Sequence, residues 1–127
     1  MTVVLDPSGV SFLAGWSGPA RVVASRLQRE GDWPPRVPTA VLVECLTGNA
    51  RRDVAANRLL QTCDIERAPS ESLARRAALL RMQARRGSAV DALVVAAAEP
   101  DGVVLTSDLG DLTALAVHAH GVRIARV

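Results

Sequence analysis

The sequence predicts an α/β fold, a three-layer α/β/α sandwich around a mainly parallel central sheet. Three observations carry that expectation. Two short runs, Thr2–Leu5 and Val103–Thr106, are almost wholly apolar and rich in β-branched residues, as strands buried on both faces are. The stretches between them have helical spacing and enough length to act as crossovers. The chain has 127 residues, 49% of them hydrophobic, which suffices for one core and a single domain over residues 1–127.

The elements follow in order. Thr2–Leu5 is a strand in the middle of the sheet, ending at Asp6. After Asp6-Pro7-Ser8-Gly9 comes a short apolar stretch to Leu13, and Gly18-Pro19 then opens a helix to about Glu30, with Val22, Val23 and Leu27 on its inner face. Gly31-Asp32-Trp33-Pro34-Pro35 breaks that helix. Val37-Pro38-Thr39 is extended, because Pro38 keeps Val37 out of the α region. A helix from Ala40 to about Leu46 stops at Gly48-Asn49, and another runs from Arg51 to about Thr62 with Val54 and Leu59 inward. Asp64–Arg67 alternates as a short edge strand. Ser70 caps a long helix in which Leu73, Ala77, Leu80 and Ala84 form one stripe and Arg75, Arg76, Arg81, Arg85 and Arg86 the opposite side. Gly87-Ser88 ends it and caps a second helix, Ala89–Glu99. Val103–Thr106 is a buried strand, Ser107-Asp108 caps a helix to about His118, and Val122–Val127 closes as an edge strand.

Composition excludes several classes. The longest unbroken apolar run, Ala92–Ala98, falls far short of the ~20 residues of a membrane span. The first residues carry neither a cationic leader nor a long apolar segment, so a cytosolic location is expected. Cys45 and Cys63 have no zinc-ligand spacing and read as small buried hydrophobes. The net charge is only +2, so any nucleic-acid contact must come from local placement of charge. All 15 basic residues are Arg. Aromatics amount to 2%, too few for a base-stacking platform.

The acids are the informative residues. In open parallel sheets ligands bind beyond the carboxyl ends of the strands, so Asp6 and Asp108 share one rim. Asp91 stands in the first turn of a helix with hardly another polar position, and Glu44 repeats that pattern in Thr39–Leu46. Asp111, three residues after Asp108, faces the same side of its helix. Each acid alone has an ordinary reading as a cap or as a charge at the positive helix end. Four in separate apolar contexts, with no Lys anywhere, point instead to a hard cation, Mg²⁺ or Mn²⁺, which takes oxygen ligands. Such an ion activates water and stabilises charge on a phosphoryl oxygen.

Competing chemistries lack their parts. Neither GxxxxGK[ST] nor GxGxxG occurs. Receiver domains and haloacid-dehalogenase-like phosphatases customarily use a Lys, and the phosphatases an Asp where Ser8 stands. His118 and His120 lie at a helix end, suited to solvation or capping. No nucleophile elbow supports a Ser-His-Asp site.

The ordered set Val-Val-Leu-Asp6-Pro-Ser8, Pro38-x5-Glu44, Val-Asp91-Ala-Leu and Leu-Thr-Ser-Asp108-Leu-Gly-Asp111-Leu resembles a PIN domain of the kind found in bacterial VapC-like toxins. The resemblance spans the chain. It implies a divalent-metal-dependent endoribonuclease, the toxin of a toxin-antitoxin pair, acting on structured RNA and neutralised by a small antitoxin, with homodimers common. Residue by residue, Asp6, Glu44, Asp91 and Asp108 match the family's metal-binding, catalytic acids. Ser8 and Ser107 match small hydroxyl positions beside them, and Asp111 a position that is a ligand or supports one. The implied reaction is phosphodiester hydrolysis by metal-activated water, leaving a 5′-phosphate and a 3′-hydroxyl. The sequence departs from the family at Pro7 and Gly9, where Thr and an aliphatic residue are frequent, and in its Pro-rich stretch before Glu44.

Two readings stay open for the Arg-rich face of the long helix, an RNA-backbone contact or a solvated surface, and its position relative to the acidic rim decides between them. Phe12 and Trp16 belong either to the core or to a groove for the antitoxin. The alternatives to a nuclease are a non-catalytic PIN-like module that binds protein or RNA, and a receiver-type phosphoacceptor.

Overall fold

Five short parallel strands form one sheet in the computed structural model, which describes residues 1–67 and 69–127. Strand β1 (Val3–Leu5) leads into α1 (Pro7–Ala14) and α2 (Gly18–Arg29), and β2 (Arg36–Pro38) into α3 (Thr39–Cys45) and α4 (Val54–Leu60). Strand β3 (Asp64–Glu66) leads into α5 (Glu71–Ala84) and α6 (Ala89–Ala98), β4 (Val103–Thr106) into α7 (Gly110–Ala116), and β5 (Arg123–Arg126) closes the chain. The order is β3-β2-β1-β4-β5. The path steps outward from β1 to β3, then crosses back to place β4 on the other side of β1. The order therefore reverses between β1 and β4, and the crevice beyond their carboxyl ends is the switch point of the sheet.

The three layers are those expected. Helix α1 packs on β1 and β4 and carries α2 and α4, while α6 packs on β1, β2 and β4 and carries α5 and α7. Helix α3 touches both α1 and α6. The two helical layers and the central strands bury Val4, Leu5, Val10, Leu80, Val104 and Leu115 almost completely. Continuous apolar runs suit β1 and β4 because both faces of each are covered. The register pairs Val3, Val4 and Leu5 with Val103, Val104 and Leu105, so the residues that follow, Asp6 and Thr106, come out side by side.

Four details differ from the sequence expectations. The stretch after Asp6 is a full helix, α1, started by Pro7 at its first turn and by the Asp6 side chain as N-cap. Helix α2 turns Ala20, Ala24 and Leu27 inward and leaves Val22 66% exposed, because the small alanines allow close approach of the layers. Helix α4 begins only at Val54, which is exposed, since residues 47–53 are held in turns by the Asp53 side chain. Helix α7 spans Gly110–Ala116, shorter than Ser107–His118, with Asp108 ahead of it rather than at its N-cap. Among the described residues, no helix is long and apolar enough to cross a membrane.

Candidate active site

At the switch point the carboxylate of Asp6 is 4% exposed and gathers three donors. Its Oδ1 accepts the Gly9 backbone N–H at 2.7 Å and the Ser8 hydroxyl at 2.8 Å, and its Oδ2 accepts the Thr106 hydroxyl at 2.6 Å. Three donors on one buried carboxylate match its acceptor-only chemistry and fix its plane. Two of them are there because α1 starts immediately after the strand. Gly9 is required at this point, since a Cβ there would collide with the Leu105 carbonyl of β4. The departure at Gly9 thus has a local cause, the close seating of α1 on the sheet.

The same network reaches the end of β4. Ser107 donates its backbone N–H to Ser8 Oγ at 2.8 Å, and Asp108 donates its own to Thr106 Oγ1 at 2.9 Å. Thr106 is fully buried, and with its hydroxyl proton on Asp6 it accepts from Asp108, so it couples the two acids through one side chain. Its part was not foreseen as more than the last residue of a strand. The Asp108 carboxylate is at the surface, and its Oδ1 accepts the Gly110 N–H at 3.2 Å. Asp6, Ser8, Ser107 and Asp108 are therefore brought together, with Thr106 as the link.

Asp91 is placed by α6. That helix ends just before β4 begins, so it runs antiparallel to the strands and its first turn lies toward their carboxyl ends. Its N-terminus carries a reciprocal cap: Asp91 N–H donates to Ser88 Oγ at 3.0 Å, and Ser88 N–H donates to Asp91 Oδ2 at 3.1 Å. Both readings of Asp91 meet here, for one oxygen caps and Oδ1 has no hydrogen-bond partner among the described residues. The preceding Gly87 stands against α7, where a side chain would press on Leu115 beside Asp111. Asp111 is joined to Arg86, whose Nε donates to its Oδ1 at 2.7 Å. Glu44 is exposed on α3 and, among the described residues, is joined to none of the other acids by a hydrogen bond or ion pair.

Two further acids bury carboxylate oxygens that the sequence did not reveal. Asp53 is buried and accepts from Thr47 N–H, Thr47 Oγ1 and Gly48 N–H at 2.8–2.9 Å. The Thr47 backbone N–H above all holds its carboxyl below the usual range, against the opposing effect of burial. Glu66, at the carboxyl end of β3, buries Oε2 with no hydrogen-bond partner among the described residues. The thiols are free and half-buried, and burial pushes Cys63 up to about 11 and raises Cys45, so neither is a ready nucleophile. Phe12 packs against the core. Trp16 lines an apolar pocket of about 460 Å³ together with Trp33, Leu13 and Leu59, with Arg58 and Gln28 also in its wall.

The donor set can be tested against a divalent ion. Among the described residues no three His, Cys, Asp or Glu side chains stand close enough to hold one ion together. Magnesium does not need that, since it is commonly held by one or two carboxylates with water and substrate phosphate completing its shell. Asp6 and Asp108 fit that mode, two carboxylates on one rim with the Asp108 backbone tied to Asp6 through the Thr106 hydroxyl. The strand order is also that of the first five strands of a dinucleotide-binding sheet, but the N-terminus of α1, where a pyrophosphate would sit, is taken by the Asp6 carboxylate. A receiver domain has the order 2-1-3-4-5, which this sheet does not share. Comparison with models of known protein families returns no match, and comparison with curated proteins returns none either.

Proposed function

We propose that the chain is a divalent-metal-dependent endoribonuclease whose centre is the pair Asp6 and Asp108. The observation that carries this reading is the buried, triply bonded Asp6 at the switch point, coupled through Thr106 to the backbone of Asp108. Asp6 and Asp108 would hold Mg²⁺ or Mn²⁺, with water and substrate phosphate completing the shell, while Asp91 and Glu44 enter this reading through the resemblance to PIN-domain acids alone. When bound, the ion supplies Lewis acidity toward a phosphate oxygen and a more acidic water. Ser8 and Thr106 hold the Asp6 carboxylate in one orientation, so that it meets the cation without reorganising. Asp111 keeps Arg86 against the same rim.

The remaining parts of the reading rest on the resemblance to PIN-domain toxins: a cytosolic setting, a homodimer and a small antitoxin. The apolar pocket between Trp16 and Trp33 supports a helical protein partner. A second reading, a PIN-like binding module without catalysis, draws on a specific observation, that Asp6 and Asp91 both cap helices and that among the described residues no three acids converge.

The test is cleavage of transfer and ribosomal RNAs by purified protein with magnesium, manganese or chelator, beside Asp6→Asn and Asp91→Asn. Defined cuts that vanish with chelator and in both variants are expected. Folded protein, free of any partner, that cuts nothing with either metal would overturn the nuclease in favour of the binding module. Cutting retained by Asp91→Asn would remove that residue from the site.

A further inference from the structure

The arginines of α5 and its C-terminal turn divide into two sets. Arg75 pairs with Glu71 at 3.0 Å and Arg76 with Glu99 at 2.8 Å, so the N-terminal half of the helix is neutralised along its length. The Glu99 carboxyl is held below its usual range chiefly by the Arg76 hydrogen bonds. At the other end Arg81 donates Nε to the Gly87 carbonyl at 2.9 Å, a neutral partner, and Arg85 makes no ion pair among the described residues. Arg81, Arg85 and Arg86 line one open groove of about 430 Å³ with Ala78, Met82 and Gly87. The charge of Arg81 and Arg85, uncompensated among the described residues, sits at one edge of the acidic rim, because Arg86 reaches Asp111 and Gly87 abuts α7.

We infer that this groove binds the phosphate backbone of RNA and leads the strand to the rim of Asp6 and Asp108. The inference rests on the nuclease reading for its choice of ligand. Guanidinium groups match phosphate in geometry as well as charge, and Arg81 is already fixed by its bond to the Gly87 carbonyl. Met82, 64% exposed between the arginines, offers an apolar surface for a ribose or base face. Arg86, held on Asp111, joins the groove to the acids, so the charge changes sign over a short distance: phosphates are gathered on one side, and a cation on the other.

The experiment separates binding from cutting. A fluorescein-labelled single-stranded RNA is titrated in chelator over a salt series, and the same RNA is incubated with magnesium. Arg85→Gly is the informative variant, since Arg85 has φ 55°, a left-handed conformation that glycine adopts freely, and the fold is spared. Arg75→Ala removes an equal charge from the neutralised half. Arg85→Gly is expected to weaken binding several-fold and to flatten the dependence of log affinity on log salt by roughly 1, with Arg75→Ala close to wild type. Binding unchanged in Arg85→Gly, equal weakening in Arg75→Ala, or a wild type that does not bind RNA at low salt would each overturn the groove. Groove-dependent binding with no cutting in magnesium would leave the groove standing and fell the nuclease. Cutting with Arg85→Gly indistinguishable from wild type in binding would do the reverse.

Discussion

Asp6 and Asp53 are both buried aspartates, and each accepts three hydrogen bonds from hydroxyl and backbone donors. The donors to Asp53 all come from Thr47 and Gly48, a few residues away, and the result is a closed turn ahead of α4. The donors to Asp6 come from α1 and from the end of β4, 100 residues along the chain, and the result is a junction between strands at the switch point. A buried, well-bonded carboxylate is thus no sign of function in itself. What distinguishes Asp6 is the position of its partners in the fold.

Substitutions break or sharpen that contrast. The largest effect is expected from Asp6→Asn, which reduces RNA cleavage to background while circular dichroism stays native, whereas Asp53→Asn leaves cleavage intact. Gly9→Ala drives a methyl group into the Leu105 carbonyl, and chemical denaturation should show a loss of roughly 3 kcal/mol. Thr106→Val keeps the shape of the side chain but leaves Asp6 Oδ2 without its donor, a cost of about 2 kcal/mol in the same assay. For Asp53 the prediction concerns pH. Its lowered folded value means that its stabilisation is present above the ordinary carboxylate value of ~3.9 and is lost as pH falls through the folded value. Melting temperature against pH should therefore fall less steeply on the acid side in Asp53→Asn, from a lower starting point. Arg85→Gly should change melting temperature least, or raise it slightly, since the left-handed cap is better filled by glycine.

The legible parts of the molecule were those written in local pattern. Val3–Leu5 and Val103–Thr106 announce buried strands because both faces need apolar residues, and that alone puts Asp6 and Asp108 on one rim. Helix α1 was not legible, since Pro7, Ser8 and Gly9 are poor helix formers, and the helix exists because Asp6 caps it and the sheet receives it. Val22 and Val54 misled because hydrophobicity ranks valine above alanine, while close packing of α2 selects Ala20 and Ala24. Thr106 was hidden for another reason: a hydroxyl at the end of a strand acquires its meaning only from a carboxylate 100 residues away. Whether the arginines of α5 are bare or paired was equally unreadable, because Glu99 and Asp111 lie on other elements.

The junction at Asp6 also bears on synthesis. Asp6 itself is made 100 residues ahead of the partner residue Thr106, so a growing chain that has passed the ribosome exit only as far as α6 has neither Thr106 nor Asp108 to complete the rim. The carboxylate waits, uncoupled from its second strand, until β4 has emerged.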